Sequence, residues 1–252
     1  MTEPELFRGL TLAWFALAPI VFLALLLITV PYGRYHHGGW GPSFGGTTGW
    51  IVMELPAVLS MPAVFAASGR APSVPVMVFL AMWSVHYLHR AFVFPLRRRA
   101  SLGPVPVVVA LMGVVFNVAN GYLNGRWLGH FSSGYGVEWL RDPRFLAGVA
   151  IFAAGMLANV HSDEVVLDLR KAGAGHAVPQ RGLHRWLASP NYFGELLEWS
   201  GWALATWSLA GLAFAVWTFA NLAPRARSHL RWYRSTFADY PASRKALVPF
   251  VW

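Results

Sequence analysis

The chain has 252 residues, of which 56% are hydrophobic and only 12% are charged, and it contains 13 tryptophans and no cysteine. This composition excludes an ordinary soluble domain and predicts an integral membrane protein, while the missing cysteines exclude disulfides and thiolate chemistry. The formal net charge is +9, but the basic residues fall in short loops and at the C-terminus, which favours cytoplasmic loops over a nucleic-acid surface.

Apolar tracts along the chain predict membrane-spanning helices, because about 20 apolar residues cross a bilayer as a helix. The tracts lie near residues 10–30, 50–67, 75–95, 103–121 and 144–160. The last tract, 194–222, is too long for one ordinary span, and a tight hairpin near Ser208 to Gly211 would divide it. The sequence therefore predicts an all-α fold with seven transmembrane helices in a single domain covering residues 1–252.

The distribution of arginine and lysine sets the predicted orientation. These residues cluster after the first, third and fifth apolar tracts and in the C-terminal tail. Because cytoplasmic loops carry the excess of basic residues, we expect the N-terminus outside and the C-terminus in the cytosol. The same pattern fits a bacterial inner membrane and an endoplasmic reticulum membrane.

Glu54 lies in a stretch from Trp50 to Phe65 that is otherwise free of charge. An ionisable group at membrane depth is costly, so it indicates a functional site with a polar partner. Tyr87, in another apolar tract, is the candidate partner.

Three rows of polar residues lie at the ends of predicted helices, and the members of each row share a helix face. The rows are Asn159, Asp163 and Arg170; Asn191, Glu195 and Glu198; and Arg225, His229 and Tyr233. Together they favour a cup for a polar, anionic ligand, with arginines for phosphates and carboxylates or amides for ribose and carboxamide. The alternative is a set of solvated helix ends with snorkelling arginines.

Two C-terminal segments resemble the signature of the steroid 5α-reductases. They are the run NYFGE at 191–195, followed by Glu198 and Trp199, and the tail from His229 to Pro249. The resemblance extends upstream to Asn159, Asn120-Gly121-Tyr122, His86-Tyr87 and Glu54-Leu55-Pro56, and so covers nearly the whole chain. It implies a seven-helix membrane enzyme, here a bacterial-type homologue, that uses NADPH to reduce the 4,5 double bond of a 3-oxo-4-ene steroid.

The resemblance also implies roles for individual residues. Glu54 and Tyr87 match the catalytic pair that holds the C3 carbonyl, where two donors would stabilise the charge that builds on its oxygen. Glu54 can donate only in its protonated form, and Trp50 and Met53 would line the steroid cavity. The cofactor site would comprise Tyr32, Arg34, Arg90, Arg99, Asn159, Asp163, Arg170, Asn191, Glu195, Arg225, His229 and Tyr233.

Met53 departs from the family pattern, which commonly has glutamine immediately before the catalytic glutamate. Methionine cannot replace the donors and acceptor of an amide, so two other functions stay open. They are a reductase of another conjugated double bond, in an enoyl thioester or a sterol, and a non-catalytic sterol- or lipid-binding membrane protein. Membrane lipids are expected partners. His86 and His89 lack companion histidines, so we expect no metal.

Overall fold

The computed structural model describes residues 1–173 and 177–252, and it is mostly helical. The helices and strands, in chain order, are α1 (Glu3–Leu27), β1 (Ser43–Phe44), α2 (Gly46–Ala66), α3 (Val74–Leu88), α4 (Phe94–Arg97), β2 (Val105–Pro106), α5 (Val107–Arg126), α6 (Pro143–Lys171), α7 (Pro190–Thr206) and α8 (Leu209–Thr236). Between them lie 3-10 turns at Gly33–Tyr35, Val137–Arg141 and Gly182–Arg185. A π-helical turn, His89–Val93, joins α3 to α4, and another, Trp127–Phe131, extends α5.

Long apolar helices dominate the fold. Within the described residues, five helical segments are long and apolar enough to cross a membrane: Glu3–Leu27, Gly46–Ala66, Val74–Arg97, Val107–Phe131 and Pro143–Lys171. Large apolar side chains on them are exposed, such as Ile20 at 61%, Val115 at 66% and Leu157 at 72%. A surface of this kind suits lipid rather than water, so the chain is an integral membrane protein, as its composition predicts.

Helix α6 is longer than the apolar tract that predicts it. Asp142 caps its N-terminus, because Oδ1 accepts a hydrogen bond from the backbone N–H of Arg144 at 2.8 Å. Side-chain hydrogen bonding to the Arg144 guanidinium lowers the pKa of Asp142 to about 2. The helix continues past residue 160 to Lys171, and this polar extension carries Asp163 and Arg170.

The predicted hairpin in the last apolar tract is present between α7 and α8. Trp207 has a φ of 44°, a left-handed conformation that ends α7 and reverses the chain. Ser208 then caps α8, because its Oγ accepts the backbone N–H of Gly211 at 2.9 Å. The tract therefore forms two helices instead of one.

The chain divides into two compact units. The first contains Met1–Leu12, Val30–Leu146 and Thr206–Gly211, and the second contains Ala13–Thr29, Ala147–Ala205 and Leu212–Trp252. In the first unit, β1 and β2 pair antiparallel. They lie beside a small apolar core formed by Val105, Val109 and Ala110, against which the partly buried Tyr32, Trp40 and Phe44 pack.

Helices α2 and α5 of the first unit approach each other closely along a row of glycines. Gly121 and Gly125 on α5, and Gly129 in the π-helical turn that extends it, are spaced four residues apart. A Cβ on Gly125 would lie 2.8 Å from the backbone oxygen of Met61, and one on Gly129 would lie 2.7 Å from the Cβ of Ser68. Small residues at this spacing allow two membrane helices to pack backbone to backbone.

In the second unit, glycines also allow α6 and α7 to pack backbone to backbone. A Cβ on Gly155 would meet the backbone nitrogen of Glu198 at 2.6 Å, and one on Gly194 would meet the backbone nitrogen of Asn159 at 2.5 Å. These close contacts fix the polar faces of α6 and α7 relative to each other. An apolar cluster of Tyr192, Leu222, Ala223, Ala226, Ala246 and Leu247 completes this core.

Candidate functional site

Glu54 lies on α2 inside the first unit and is 9% exposed. Its Oε2 accepts a hydrogen bond from the Nδ2 of Asn117 on α5 at 3.4 Å. Its Oε1 lies 3.6 Å from the Nε of Arg90. That distance is an ion-pair contact but is too long for a hydrogen bond. The two carboxyl oxygens therefore have different neighbours: Oε2 accepts from the Asn117 amide, and Oε1 faces the Arg90 guanidinium.

Arg90 lies in the π-helical turn. Pro95, which follows this turn, determines which backbone hydrogen bonds the turn can make. The backbone N–H of Phe94 bonds to the oxygen of His89, five residues earlier. In that register the oxygen of Arg90 would face the nitrogen of Pro95, which carries no hydrogen. The indole Nε1 of Trp50 donates to this oxygen instead, at 3.0 Å. The π turn thus fastens Trp50 to the helix that carries Arg90.

The guanidinium of Arg90 lies over aromatic rings. Its Cζ is 4.6 Å from the ring centroid of Trp50 and 5.3 Å from that of Phe94. Cation–π contacts of this kind orient the guanidinium beside Glu54. Trp50, predicted to line the substrate cavity, is therefore a direct neighbour of the Glu54 carboxyl's ion-pair partner.

Tyr87 is buried in α3, at 4% exposure. Its ring packs against Trp83 with centroids 4.8 Å apart, and the indole of Trp83 donates to the oxygen of Ala57 on α2 at 2.8 Å. Tyr87 precedes Arg90 by three residues, close to one helical turn. The predicted catalytic pair thus lies on two helices, α2 and α3, that pack together in the first unit.

Four further predicted residues of the first unit lie around this group or at its margin. The Tyr32 ring is 6.5 Å from that of Trp50, and Arg34 follows in the 3-10 turn Gly33–Tyr35. Arg99 is exposed beyond the end of α4. The side chain of Met53 lies against Gly113 of α5, where an added Cβ would collide with its Cγ.

The second unit brings together the polar rows of α6 and α7. Asn159 donates from Nδ2 to Oε1 of Glu198 at 3.1 Å. Asn191 donates from Nδ2 to Oδ1 of Asp163 at 3.4 Å. The row on α6 and the row on α7 thus contact each other through two amide–carboxylate pairs. These groups are buried: Asn159 is 5% exposed, Asp163 6% and Glu198 0%.

The third row lies on α8 and is linked to α7 through Tyr192. His229 shares a hydrogen bond between its Nδ1 and the Oγ of Ser189 at 3.0 Å. Its ring stacks on that of Tyr192, with centroids 5.3 Å apart. Arg225 donates from Nε to the hydroxyl of Tyr192 at 3.1 Å. Tyr192 therefore orients two of the three members of this row.

Tyr233, the third member of that row, is 5% exposed and stacks on Tyr240 at 5.1 Å between centroids. Burial raises the pKa of Tyr240 above its usual range, so its hydroxyl stays neutral. Glu195 is 6% exposed on α7, and Arg170 is half-buried in the last turn of α6. The second unit thus holds carboxylates, amides, a histidine and two half-buried arginines, a donor set suited to a dinucleotide's phosphates and hydroxyls.

Asn117 belongs to this site but was not predicted from the sequence. It is 4% exposed on an apolar membrane helix. A buried amide at membrane depth is the same kind of signal that identified Glu54. What the sequence lacks is the partner, because the contact joins residues 63 positions apart.

A family model described as 3-oxo-5-alpha-steroid 4-dehydrogenase matches residues 103–252, more than half of the chain. The chain belongs to the 3-oxo-5-alpha-steroid 4-dehydrogenase family. It is 42% identical to the 3-oxo-5-alpha-steroid 4-dehydrogenase 1 of Bos taurus, over 94% of this chain and 93% of that protein. It is 38% identical to the Homo sapiens protein of the same name, over 100% and 97% of the two chains. The Steroid 5-alpha-reductase DET2 of Gossypium hirsutum is 37% identical, over 100% and 99%.

Membership of the 3-oxo-5-alpha-steroid 4-dehydrogenase family confirms the resemblance read from the C-terminal signature. The region matched by the family model contains the three polar rows and Asn117. Glu54 and Tyr87 precede that region, and the relatives that span the full chain cover them. Both units of the structure therefore belong to sequence shared with the family.

Proposed function

We propose that the protein reduces the 4,5 double bond of 3-oxo-4-ene steroids to 5α-3-oxosteroids, with NADPH as cofactor. The observation that carries this proposal is the buried carboxyl of Glu54 beside Arg90 and Asn117 on membrane helices. Relatives that match nearly the full chain are named 3-oxo-5-alpha-steroid 4-dehydrogenase or steroid 5-alpha-reductase, and their names support the choice of substrate.

In this reaction C5 receives a hydride and C4 receives a proton, so the double bond becomes a single bond and the C3 carbonyl is retained. Negative charge builds on the carbonyl oxygen as the hydride arrives. Tyr87 and the protonated form of Glu54 donate hydrogen bonds to that oxygen and stabilise the charge. Oε1 of Glu54 is assigned to the substrate carbonyl, because Oε2 accepts from Asn117 and the 3.6 Å contact of Oε1 with the Nε of Arg90 is longer than a hydrogen bond. Trp50 and Met53 line the steroid cavity.

The cofactor, when bound, supplies the hydride. The second unit is suited to hold it: Asp163, Glu195 and Asn159 are buried polar groups, and Arg170 and Arg225 supply positive charge for phosphates. The residues assigned to the cofactor are Tyr32, Arg34, Arg90, Arg99, Asn159, Asp163, Arg170, Asn191, Glu195, Arg225, His229 and Tyr233.

We further propose that the two units form one reductase domain with seven spanning helices, the N-terminus outside and the C-terminus in the cytosol. The 17-residue α7 and the 28-residue α8, separated by the cap at Ser208, support two spans after α6. The basic segments then face the cytosol, and so does the cofactor site. A bacterial inner membrane or an endoplasmic reticulum membrane would suit this arrangement.

The first test is turnover by purified protein in detergent with NADPH and progesterone or testosterone. Mass spectrometry should detect a gain of two hydrogens, and comparison with standards should show 5α stereochemistry. A panel with an enoyl thioester and an unsaturated sterol separates the rival substrates. Reduction of either of these, with no steroid product, would overturn the proposed substrate.

The second test concerns the catalytic pair. Glu54→Gln and Tyr87→Phe should each lower kcat by about 100-fold or more, because Tyr87→Phe removes a donor to the developing oxyanion and Glu54→Gln replaces an acidic O–H with a much less acidic amide N–H. Both variants should still bind NADPH. Tyr122→Phe, which removes a hydroxyl from a half-buried tyrosine of α5, is the matched control and should keep its turnover. Full activity in both active-site variants would rule out this assignment.

A further inference from the structure

Asn117 ties α5 to the segment of α2 that carries the proposed catalytic glutamate. Its Nδ2 donates to the backbone oxygen of Met53 at 2.8 Å and to Oε2 of Glu54 at 3.4 Å. Its own backbone oxygen accepts from the Oγ of Ser60 at 3.2 Å. One amide group therefore contacts two successive residues of α2, both of them in the proposed substrate site.

The contact of Asn117 with Glu54 restricts rotation about the last side-chain torsion of Glu54, χ3. The terminal torsion of a glutamate side chain is broad and roughly two-fold, so an unheld carboxyl exchanges its two oxygens by rotation. The contact between the Nε of Arg90 and Oε1, at 3.6 Å, is longer than a hydrogen bond. The Asn117 amide distinguishes the oxygens because it offers only a donor to Oε2.

We propose that Asn117 is a positioning residue for Glu54. It holds Oε2 as a hydrogen-bond acceptor and so fixes the orientation in which the carboxyl group presents Oε1 to the substrate carbonyl. This inference rests on the proposed function, because it assigns Asn117 a role only through Glu54.

The test compares Asn117→Leu with Asn124→Leu. Asn124 is a buried amide on the same helix, and its Nδ2 contacts the oxygen and Oδ1 of Asn120 instead of Glu54. Asn117→Leu should lower kcat by about 10- to 100-fold, as loss of an orienting partner commonly does, with less than about a threefold change in the steroid KM. Asn124→Leu should keep kcat within about twofold of the wild type, whatever its effect on the thermal midpoint.

A second variant protects the test against misfolding. Asn117→Ala adds no bulk and keeps helix propensity, so it replaces Asn117→Leu if the latter fails to fold, and the same loss of kcat is expected.

The outcomes separate this inference from the proposed function. If Glu54→Gln is inactive while Asn117 variants match Asn124→Leu in kcat, the positioning role is wrong and the proposed function stands. An active Glu54→Gln variant overturns the proposed catalytic assignment itself.

Discussion

His184 of the second unit is a buried histidine whose ring has to stay neutral. Its Nε2 contacts the backbone oxygen of Ser162 at 3.1 Å, so the neutral ring carries its hydrogen there. Burial lowers its pKa to about 4 from an ordinary value of 6.5, and the nearby Arg244 adds to the shift. The residue thus makes the stability of the fold depend on pH just below neutrality.

The sign of that dependence follows from proton uptake. Between pH 6.5 and about pH 4 the unfolded chain binds a proton at this residue and the folded protein does not, so the free energy of unfolding falls as the pH falls. The slope is at most about 1.4 kcal/mol per pH unit, and the total is about 3 kcal/mol.

Thermal unfolding in detergent at pH 7, 5.5 and 4.5 measures this effect. His184→Gln should flatten the decrease in the unfolding midpoint over that range. His37→Gln, which removes an exposed histidine, should keep the decrease of the wild type. An equal decrease in all three proteins would contradict a neutral, buried His184.

Asp163 provides the sharpest test of the cofactor assignment. Asp163→Ala should weaken NADPH binding by about 10- to 100-fold, because a hydrogen bond to a charged group contributes about 1.5–3 kcal/mol. Asp168→Ala is the matched control: its carboxylate lies on the same helix, is 56% exposed and pairs with Arg181 at 3.4 Å. Binding by calorimetry should single out Asp163, and unaltered binding would remove the row on α6 from the cofactor site.

At the level of helices, the glycine row of α5 determines how closely this helix approaches α2. In Gly125→Ala the new Cβ meets the backbone oxygen of Met61 at 2.8 Å and the Cβ of Val64 at 3.0 Å. Neither helix can yield without moving its backbone, so we expect a loss of about 1–3 kcal/mol in unfolding free energy.

Gly9→Ala is the control for that substitution. Gly9 lies within α1, and a Cβ there has nothing within 4 Å. Alanine should leave that helix unchanged or stabilise it by about 0.4–1 kcal/mol. Measured side by side, the unfolding midpoint should therefore fall in Gly125→Ala and stay equal or rise in Gly9→Ala, and a Gly125→Ala protein as stable as the wild type would contradict the close packing of α2 and α5.

The sequence predicts the helices well and their contacts poorly. Apolar tracts identify the long helices, and the turn signal near Ser208 identifies the break between α7 and α8. Hydropathy stops where α6 becomes polar, but the helical spacing of Asn159, Asp163 and Arg170 predicts that the helix continues, and it ends at Lys171. The π turn before Pro95 was not predicted, since it depends on which backbone donors remain.

For the candidate site, too, the sequence predicts individual residues but not their contacts. Residue type and spacing were enough to single out Glu54 and the three polar rows, because a charge at membrane depth and a helical period are local properties. The partners of these residues, Asn117 for Glu54 and Glu198 for Asn159, depend on which helix faces pack together. No local pattern contains that information.

At the level of the whole molecule, the absence of cysteine allows the proposed orientation to be tested without background. Gly38→Cys places a thiol in the segment after α1, and Ser133→Cys places one after α5; both positions are exposed. A membrane-impermeant maleimide should label Ser133→Cys in intact cells or right-side-out vesicles and Gly38→Cys only after the membrane is opened. The reverse labelling would overturn the predicted orientation.

Pro95 and Trp50 both act on the backbone carbonyl of Arg90, and this shared role has an evolutionary consequence. The proline leaves the Arg90 carbonyl without a helical donor, and the indole supplies one at 3.0 Å. A lineage that lost the tryptophan first would bury an unsatisfied carbonyl, at a cost of about 1–3 kcal/mol. Across family members, tryptophan at position 50 and proline at position 95 should therefore be gained and lost together.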